Sequence, residues 1–266
     1  MEYTGNLLKM KSELSGVVHY SLNLNGNNLP VNDIIGKELS IEYQHQINCI
    51  RCGRKTNKSF FQGFCYPCFI NAPEADECIL RPEKCMAHEG ISRDMEWSKT
   101  HCLIDHYVYL ALSSGLKVGV TRNTQVPTRW IDQGAYQAVK IAKTPNRHIA
   151  GLIEVDLKNH FADKTHWQRM LKNQIPGDID LIEEKQKAYE LADEEYRGYF
   201  IDDDELTEIV YPVNNYPVKV KSINLDKTDK FKGKLTGIKG QYLIFEGGFV
   251  FNVRKHNGYL VKIEVL

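Results

Sequence analysis

Three observations predict an α+β fold for this chain. Short runs rich in β-branched and aromatic residues, punctuated by Gly turns, recur toward both ends of the sequence. Two more such runs, His106–Leu112 and Leu116–Thr121, flank Ser113-Ser114-Gly115 and read as a hairpin. Beyond them, Ile149, Leu152, Ile153 and Leu157 recur at helical spacing and define one apolar face.

In chain order, residues 1–47 alternate apolar and polar positions, as in Val17–Leu24 and Glu38–Tyr43, with Asn25-Gly26-Asn27-Asn28 as a turn. They predict a small antiparallel element. Residues 48–103 hold all seven cysteines. Residues 104–200 open with the hairpin. A short helix over Thr128–Ala135 follows, stopped by Gly134, then a strand at Ala138–Ala142. Thr144-Pro145-Asn146 carries the turn and cap chemistry that opens the next helix. After a break at Pro176-Gly177, residues 179–198 predict a strongly acidic helix. Over 205–266 the runs Val218–Lys221, Gly233–Gly237, Tyr242–Phe245, Phe249–Val253 and Tyr259–Ile263 predict a small barrel of SH3-like or OB-like type.

The formal charge is zero, with 34 basic and 34 acidic residues, so no global charge points to nucleic acid. The charges are nevertheless segregated. Lys117–Lys172 carries ten basic against four acidic residues, Asp178–Glu208 three against thirteen, and Lys219–Glu264 ten against four. Two basic segments around an acidic one can build a face that attracts phosphate. They are equally compatible with a solvated acidic helix between ordinary strands. No apolar run approaches the roughly 18 residues of a membrane span, and no signal-peptide pattern is evident. The chain reads as cytoplasmic, with no membrane partner.

Cys49-Ile50-Arg51-Cys52 and Cys65-Tyr66-Pro67-Cys68 form two Cys-x-x-Cys knuckles. Four thiolates at this spacing match tetrahedral zinc, held at roughly 2.3 Å per bond. Gly53 and Gly63 allow tight turns beside them. A closed four-sulfur site is structural rather than catalytic. Redox pairs, a disulfide or an iron–sulfur cluster are the competing readings. Cys78, Cys85 and Cys102 form a looser set that fits no common zinc template. With His88 or His101 as fourth ligand they would make a second zinc site; otherwise they are buried free cysteines.

The hairpin carries Tyr107-Val108-Tyr109 and Lys117-Val118-Gly119, followed by Arg129 and, on a helix, Glu154. This order resembles the GIY-YIG nuclease superfamily over roughly Ile104–Lys172. The wider pattern is more specific. A zinc-ribbon-like segment followed by His-Tyr-Val-Tyr-Leu-Ala, Lys-Val-Gly-Val-Thr-Arg and Arg-Trp-Ile-Asp-Gln-Gly-Ala is similar to the family of domain of unknown function 2797, placed near those nucleases. The resemblance implies a β-β-α-β-α domain at 104–200. It implies Glu154 as ligand of a catalytic Mg²⁺ or Mn²⁺, Arg129 as phosphate stabiliser and Tyr109 as base or water-orienting group. Gly119 would let a neighbouring strand or the substrate approach. Lys117 stands where the second motif has tyrosine and would bind phosphate, act as a base, or mark lost catalysis. Thr121, Arg122, Trp130 and Gln133 are candidate nucleic-acid contacts, and Asp132 a candidate cleft residue.

The expected function is therefore a nucleic-acid-binding, metal-dependent endonuclease with structural Zn²⁺, acting on DNA ahead of RNA. The alternative is a catalytically inactive zinc-ribbon module that binds nucleic acid. A third reading makes the acidic helix a protein-contact surface.

Overall fold

The computed structural model describes residues 1–162, 164–175 and 177–266, so the expected break at Pro176 lies outside the described residues. The fold is mixed α+β and divides into two compact units. One joins Met1–Ile70 to Ile209–Leu266; the other is Asn71–Glu208.

The first unit begins with β1 (Glu2–Ser15), β2 (Val17–Leu24), β3 (Asn27–Pro30) and β4 (Glu38–Asn48), then β5 (Lys55–Thr56) and the helix α1 (Tyr66–Asn71). The second unit supplies α2 (Met95–His101), β6 (His106–Leu112), β7 (Leu116–Arg122), α3 (Thr128–Asp132), β8 (Gln137–Thr144) and α4 (Arg147–Leu157). It continues with α5 (Trp167–Leu171), α6 (Leu181–Leu191), α7 (Glu194–Arg197) and β9 (Thr207–Glu208). The chain then returns to the first unit with β10 (Lys221–Ile223), β11 (Lys230–Lys239), β12 (Tyr242–Phe245), β13 (Phe249–Asn252) and β14 (Tyr259–Val265).

The sequence suggested a separate N-terminal β element and C-terminal barrel, but the strands of both share one sheet. Its order is β10-β13-β12-β11-β4-β14-β1-β2-β3, with β5 added to β4. β14 lies between β1 and β4 and pairs antiparallel with each, Glu2 opposite Glu264 and Ser40 opposite Glu264. Apolar residues at alternate positions of these strands, among them Leu7, Leu22, Ile41, Val261 and Ile263, are buried. Alternation locates strands but does not name their partners, so it could not reveal this joining of distant segments.

In the second unit the hairpin β6–β7 forms as expected, and β8 pairs with the other edge of β6. The sheet order is β7-β6-β8-β9. The Asn146 side chain accepts the Ile149 N–H at 3.0 Å and caps α4. Ala150, Ile153 and Leu157 of α4, with Leu181 and Ala188 of α6, cover the Val108, Leu110 and Val118 side of the hairpin. The acidic segment forms two short helices rather than one. Part of its charge is neutralised by lysines: Asp203 pairs with Lys140 of β8 at 2.6 Å, and Asp204 with Lys185 of α6 at 2.8 Å. The segregation seen along the sequence is thus partly cancelled in space.

A second stripe of α4 faces the cysteine-rich connector. Arg147, Gly151, Glu154 and Lys158 recur at i, i+4, i+7 and i+11 and so share one side of the helix. At Gly151 the connector comes so close that an added Cβ would lie 2.1 Å from the Glu83 backbone nitrogen. A Gly151→Ala variant should lose about 1–3 kcal/mol, the usual cost of overpacking, and a denaturant titration reads the loss.

His106, buried on β6, directs Nδ1 to the Ile104 carbonyl at 2.8 Å. Burial, with the Arg147 and Arg122 cations adding to it, pushes this imidazole down to about 4. Its folded-state value lies below the unfolded one of about 6.5, so the unfolded chain binds more protons between the two. This contribution is complete above pH ~6.5 and is lost as the pH falls toward 4, by up to about 3 kcal/mol. Unfolding midpoints should fall across that window, and less steeply in His106→Gln.

Candidate active site and metal centres

Antiparallel pairing sets Tyr109 opposite Gly119 and Ala111 opposite Lys117. Alternation then places Tyr109, Lys117 and Gly119 on one side of the hairpin. A bulge between Val108 and Tyr109, where β6 meets β8, falls beside the tyrosine. Gly119 is where the hairpin makes room: a Cβ there would lie 2.6 Å from the Tyr109 hydroxyl oxygen. The close approach expected at this glycine is made by Tyr109 itself, whose phenol crosses β7.

Tyr109 is 0% exposed. Its hydroxyl donates to Gln133 Oε1 at 2.9 Å, and Lys117 Nζ donates to the same oxygen. Gln133 follows α3 directly, one turn beyond Arg129, so both reach the same side of that helix. The charges of Arg129 and Glu154 both act on the Tyr109 hydroxyl. Burial holds the phenol above its ordinary value, with the Glu154 charge adding to the effect. Tyr109 is therefore a neutral hydroxyl near pH 7, suited to orienting a partner rather than to removing a proton.

Glu154 is 8% exposed and sits 3.4 Å from Lys158. Burial raises its carboxyl above the usual range, while the Lys158 and Arg129 cations oppose the shift. The Glu83 carboxylate of the connector also raises it. Glu83 was not among the residues the sequence singled out. No periodicity ties residue 83 to residue 154, and only the approach at Gly151 brings them together. Tyr109, Lys117 and Gln133 thus form one hydrogen-bonded group, on which the charges of Arg129 and Glu154 act.

Other candidates lie elsewhere. Trp130 is 1% exposed and packs edge-on against the Tyr109 ring at 5.9 Å between centroids. A buried indole under the site supports Tyr109 and offers no face to a base. Thr121 is buried, and its hydroxyl donates to the Arg122 carbonyl. Arg122 ends β7 opposite His106, where the charges of Arg147 and Cys102 act on it. Asp132 is half-buried at the end of α3.

The two Cys-x-x-Cys knuckles meet. Cys49, Cys52, Cys65 and Cys68 place their sulfurs within 4.8 Å of one another, and all are free of disulfides. Cys52 and Cys65 Sγ are 3.7 Å apart. Four sulfurs at about 2.3 Å from one central ion lie about 3.8 Å from each other, so the set fits tetrahedral zinc. Burial would raise Cys49, but backbone N–H groups of Cys52, Cys65 and Arg51 pull it down to about 6. Burial and the neighbouring sulfurs push Cys68 up to about 12. The knuckle amides stabilise sulfur charge, and an ion would displace the remaining protons.

Cys78, Cys85 and Cys102 also come together, with sulfurs within 4.8 Å of one another. The expected histidines do not join them. His101 stacks on Trp97 at 4.0 Å and directs Nδ1 to the Trp97 carbonyl, while His88 stacks on His148 at 4.4 Å. Trp97 and Leu103 pack against the three cysteines themselves.

Fold and site together define an α+β protein with two cysteine clusters able to hold metal ions and a buried tyrosine–lysine pair bonded to one glutamine. The chain belongs to the family described as protein of unknown function (DUF2797), whose model matches residues 36–261. No curated protein and no solved structure matches the chain. Among the described residues, no helix is long and apolar enough to cross a membrane.

The glycine opposite Tyr109 gives a direct test. Gly119→Ala should displace the phenol and cost about 1–3 kcal/mol, whereas the double variant Gly119→Ala/Tyr109→Phe should recover part of that loss. Thermal melts of the two variants measure it.

Proposed function

We propose that this protein is a divalent-metal-dependent endonuclease of the GIY-YIG type, acting on DNA ahead of RNA. The reading is supported by the hydrogen-bonded Tyr109, Lys117 and Gln133, with the charges of Arg129 and Glu154 acting on the Tyr109 hydroxyl, in the order that the superfamily resemblance implies. Phosphodiester hydrolysis needs an oriented water, neutralisation of charge on phosphorus, and help for the leaving oxygen. Glu154 would hold Mg²⁺ or Mn²⁺, which supplies a polarised water and a counter-charge for the phosphate. Arg129, half-buried beside Tyr109, binds phosphate oxygens through its planar donors. The neutral Tyr109 hydroxyl orients the attacking water, and Gln133 fixes that hydroxyl in place. Lys117 carries a point charge against the same amide and raises the local attraction for an anion. The four-cysteine ribbon, with zinc, is a structural element of the same protein.

One observation favours a second reading. Lys117 is 4% exposed and bonded to Gln133, so the residue that replaces the second motif's tyrosine has a structural contact of its own. On that reading the protein is a catalytically inactive module that binds nucleic acid.

The test compares wild type with Glu154→Ala and Arg129→Ala on DNA and RNA substrates in Mg²⁺ or Mn²⁺. The proposal expects cleavage by wild type, reduced about 100-fold or more in each variant. Absence of cleavage with salt-dependent binding in all three selects the binding module.

A further inference from the structure

We propose that Cys78, Cys85 and Cys102 hold a zinc-class divalent ion through three thiolates, with a fourth coordination position open to an adjoining cavity and exchangeable for a small thiol. This centre is separate from the proposed phosphodiester site and does not rest on that reading. The three cysteines come from different turns of the connector. Cys78 lies in the helical turn 77–79, Cys85 directly follows the turn 82–84, and Cys102 ends α2. All are buried and reduced, and their sulfurs lie within 4.8 Å of one another. That spacing suits a single ion.

Buried free cysteines packed as small apolar groups would need no charge beside them. Here the first residue of α4 places one. Arg147 is 7% exposed, and its Nη1 donates to Cys78 Sγ at 3.3 Å while Nη2 donates to the His101 carbonyl at 3.0 Å. Its backbone N–H donates to the Cys102 carbonyl at 2.8 Å, so the helix is moored to the cluster through both main chain and side chain. Arg122 adds a second cation whose neighbours include Arg147 and Cys102. Two cations against three neutral thiols gain no counter-charge from the cluster itself. Three thiolates around a dication carry a net charge of −1 and supply it. An N–H donor aimed at a ligating sulfur is also how outer groups orient metal ligands.

Among the described residues no fourth Cys, His, Asp or Glu joins the cluster. Instead, the three cysteines line a cavity of about 320 Å³ whose other walls include Met86, Trp97 and Arg93. Three protein ligands and one free position distinguish an exchange-competent zinc from a closed structural one. Thiolate donors select soft ions such as zinc, and the apolar walls suit a small uncharged thiol. On exchange, the bond from the ion to water breaks and a bond to sulfur forms. The thiol proton passes to solvent, and no electrons are transferred.

Metal analysis of the wild-type protein should give two zinc ions per chain, one of them in the four-cysteine ribbon. One per chain overturns the proposal. Cys102→Ser should retain one ion, and two would overturn it; His88→Ala should retain both, and loss of one would show that the fourth position is occupied by protein. Cobalt-substituted wild type decides the matter even if Cys102→Ser fails to fold. The ribbon is saturated by four sulfurs, so added 2-mercaptoethanol should shift the visible cobalt bands only through the three-cysteine centre, with about one proton released per chain. A spectrum unchanged by the thiol overturns the open position. None of these readouts requires nuclease activity.

Discussion

The candidate site depends on one missing methyl-sized group. Because residue 119 has no Cβ, the Tyr109 phenol can lie across β7 and bring its hydroxyl to Gln133. The same amide oxygen receives Lys117, so one acceptor ties two adjacent strands to the end of α3. Arg129 is delivered to this point by the turn of helix that also delivers Gln133. A bulkier residue at 119 would move the phenol and loosen everything that converges on it. Buried polar groups are costly unless satisfied, so the shared amide specifies one arrangement of tyrosine and lysine rather than merely tolerating them.

Helix α4 joins this arrangement to the connector. Its apolar stripe covers the hairpin, while its polar stripe runs from Arg147 past Gly151 to Glu154. Arg147 is bonded to Cys78, and Gly151 admits the Glu83 backbone, so the connector fixes the helix over two turns. The height and rotation of Glu154 are consequently set by contacts made seven residues earlier. A helix held only by its apolar face could rotate slightly at small cost. One also held by a guanidinium–sulfur contact and a backbone in van der Waals contact cannot.

Much of this could be read from the sequence, for local reasons. A three-residue turn fixes the register of its hairpin, so the pairing of Tyr109 with Gly119 was implicit in their equal distances from Ser114. Two Cys-x-x-Cys knuckles carry their geometry within each knuckle, and the Asn146 cap needs only the next three residues. The parts that were not legible depend on chain segments far apart in sequence. Trp130 in a basic stretch suggests a nucleic-acid contact, and only the packing of α3 shows it buried against Tyr109. His88 and His101 lie at suitable positions for ligands, but aromatic stacking holds each elsewhere. Glu83 and Arg147 meet their partners through tertiary contacts that no periodicity announces. The same limit hid the pairing of β14 with β1 and β4, because alternation says that a strand exists and not which neighbour it takes.

That shared sheet has a consequence for how the chain acquires its structure during synthesis. β14 inserts between β1 and β4, both of which leave the ribosome well before it. Until then β1 and β4 each lack a neighbour along one edge, while every strand and helix of Asn71–Glu208 is already available to fold. The inserted unit can therefore reach its native state while the unit encoded on either side of it is still waiting. During that interval the unpaired edges of β1 and β4 are the surfaces most exposed to wrong pairing with another nascent chain.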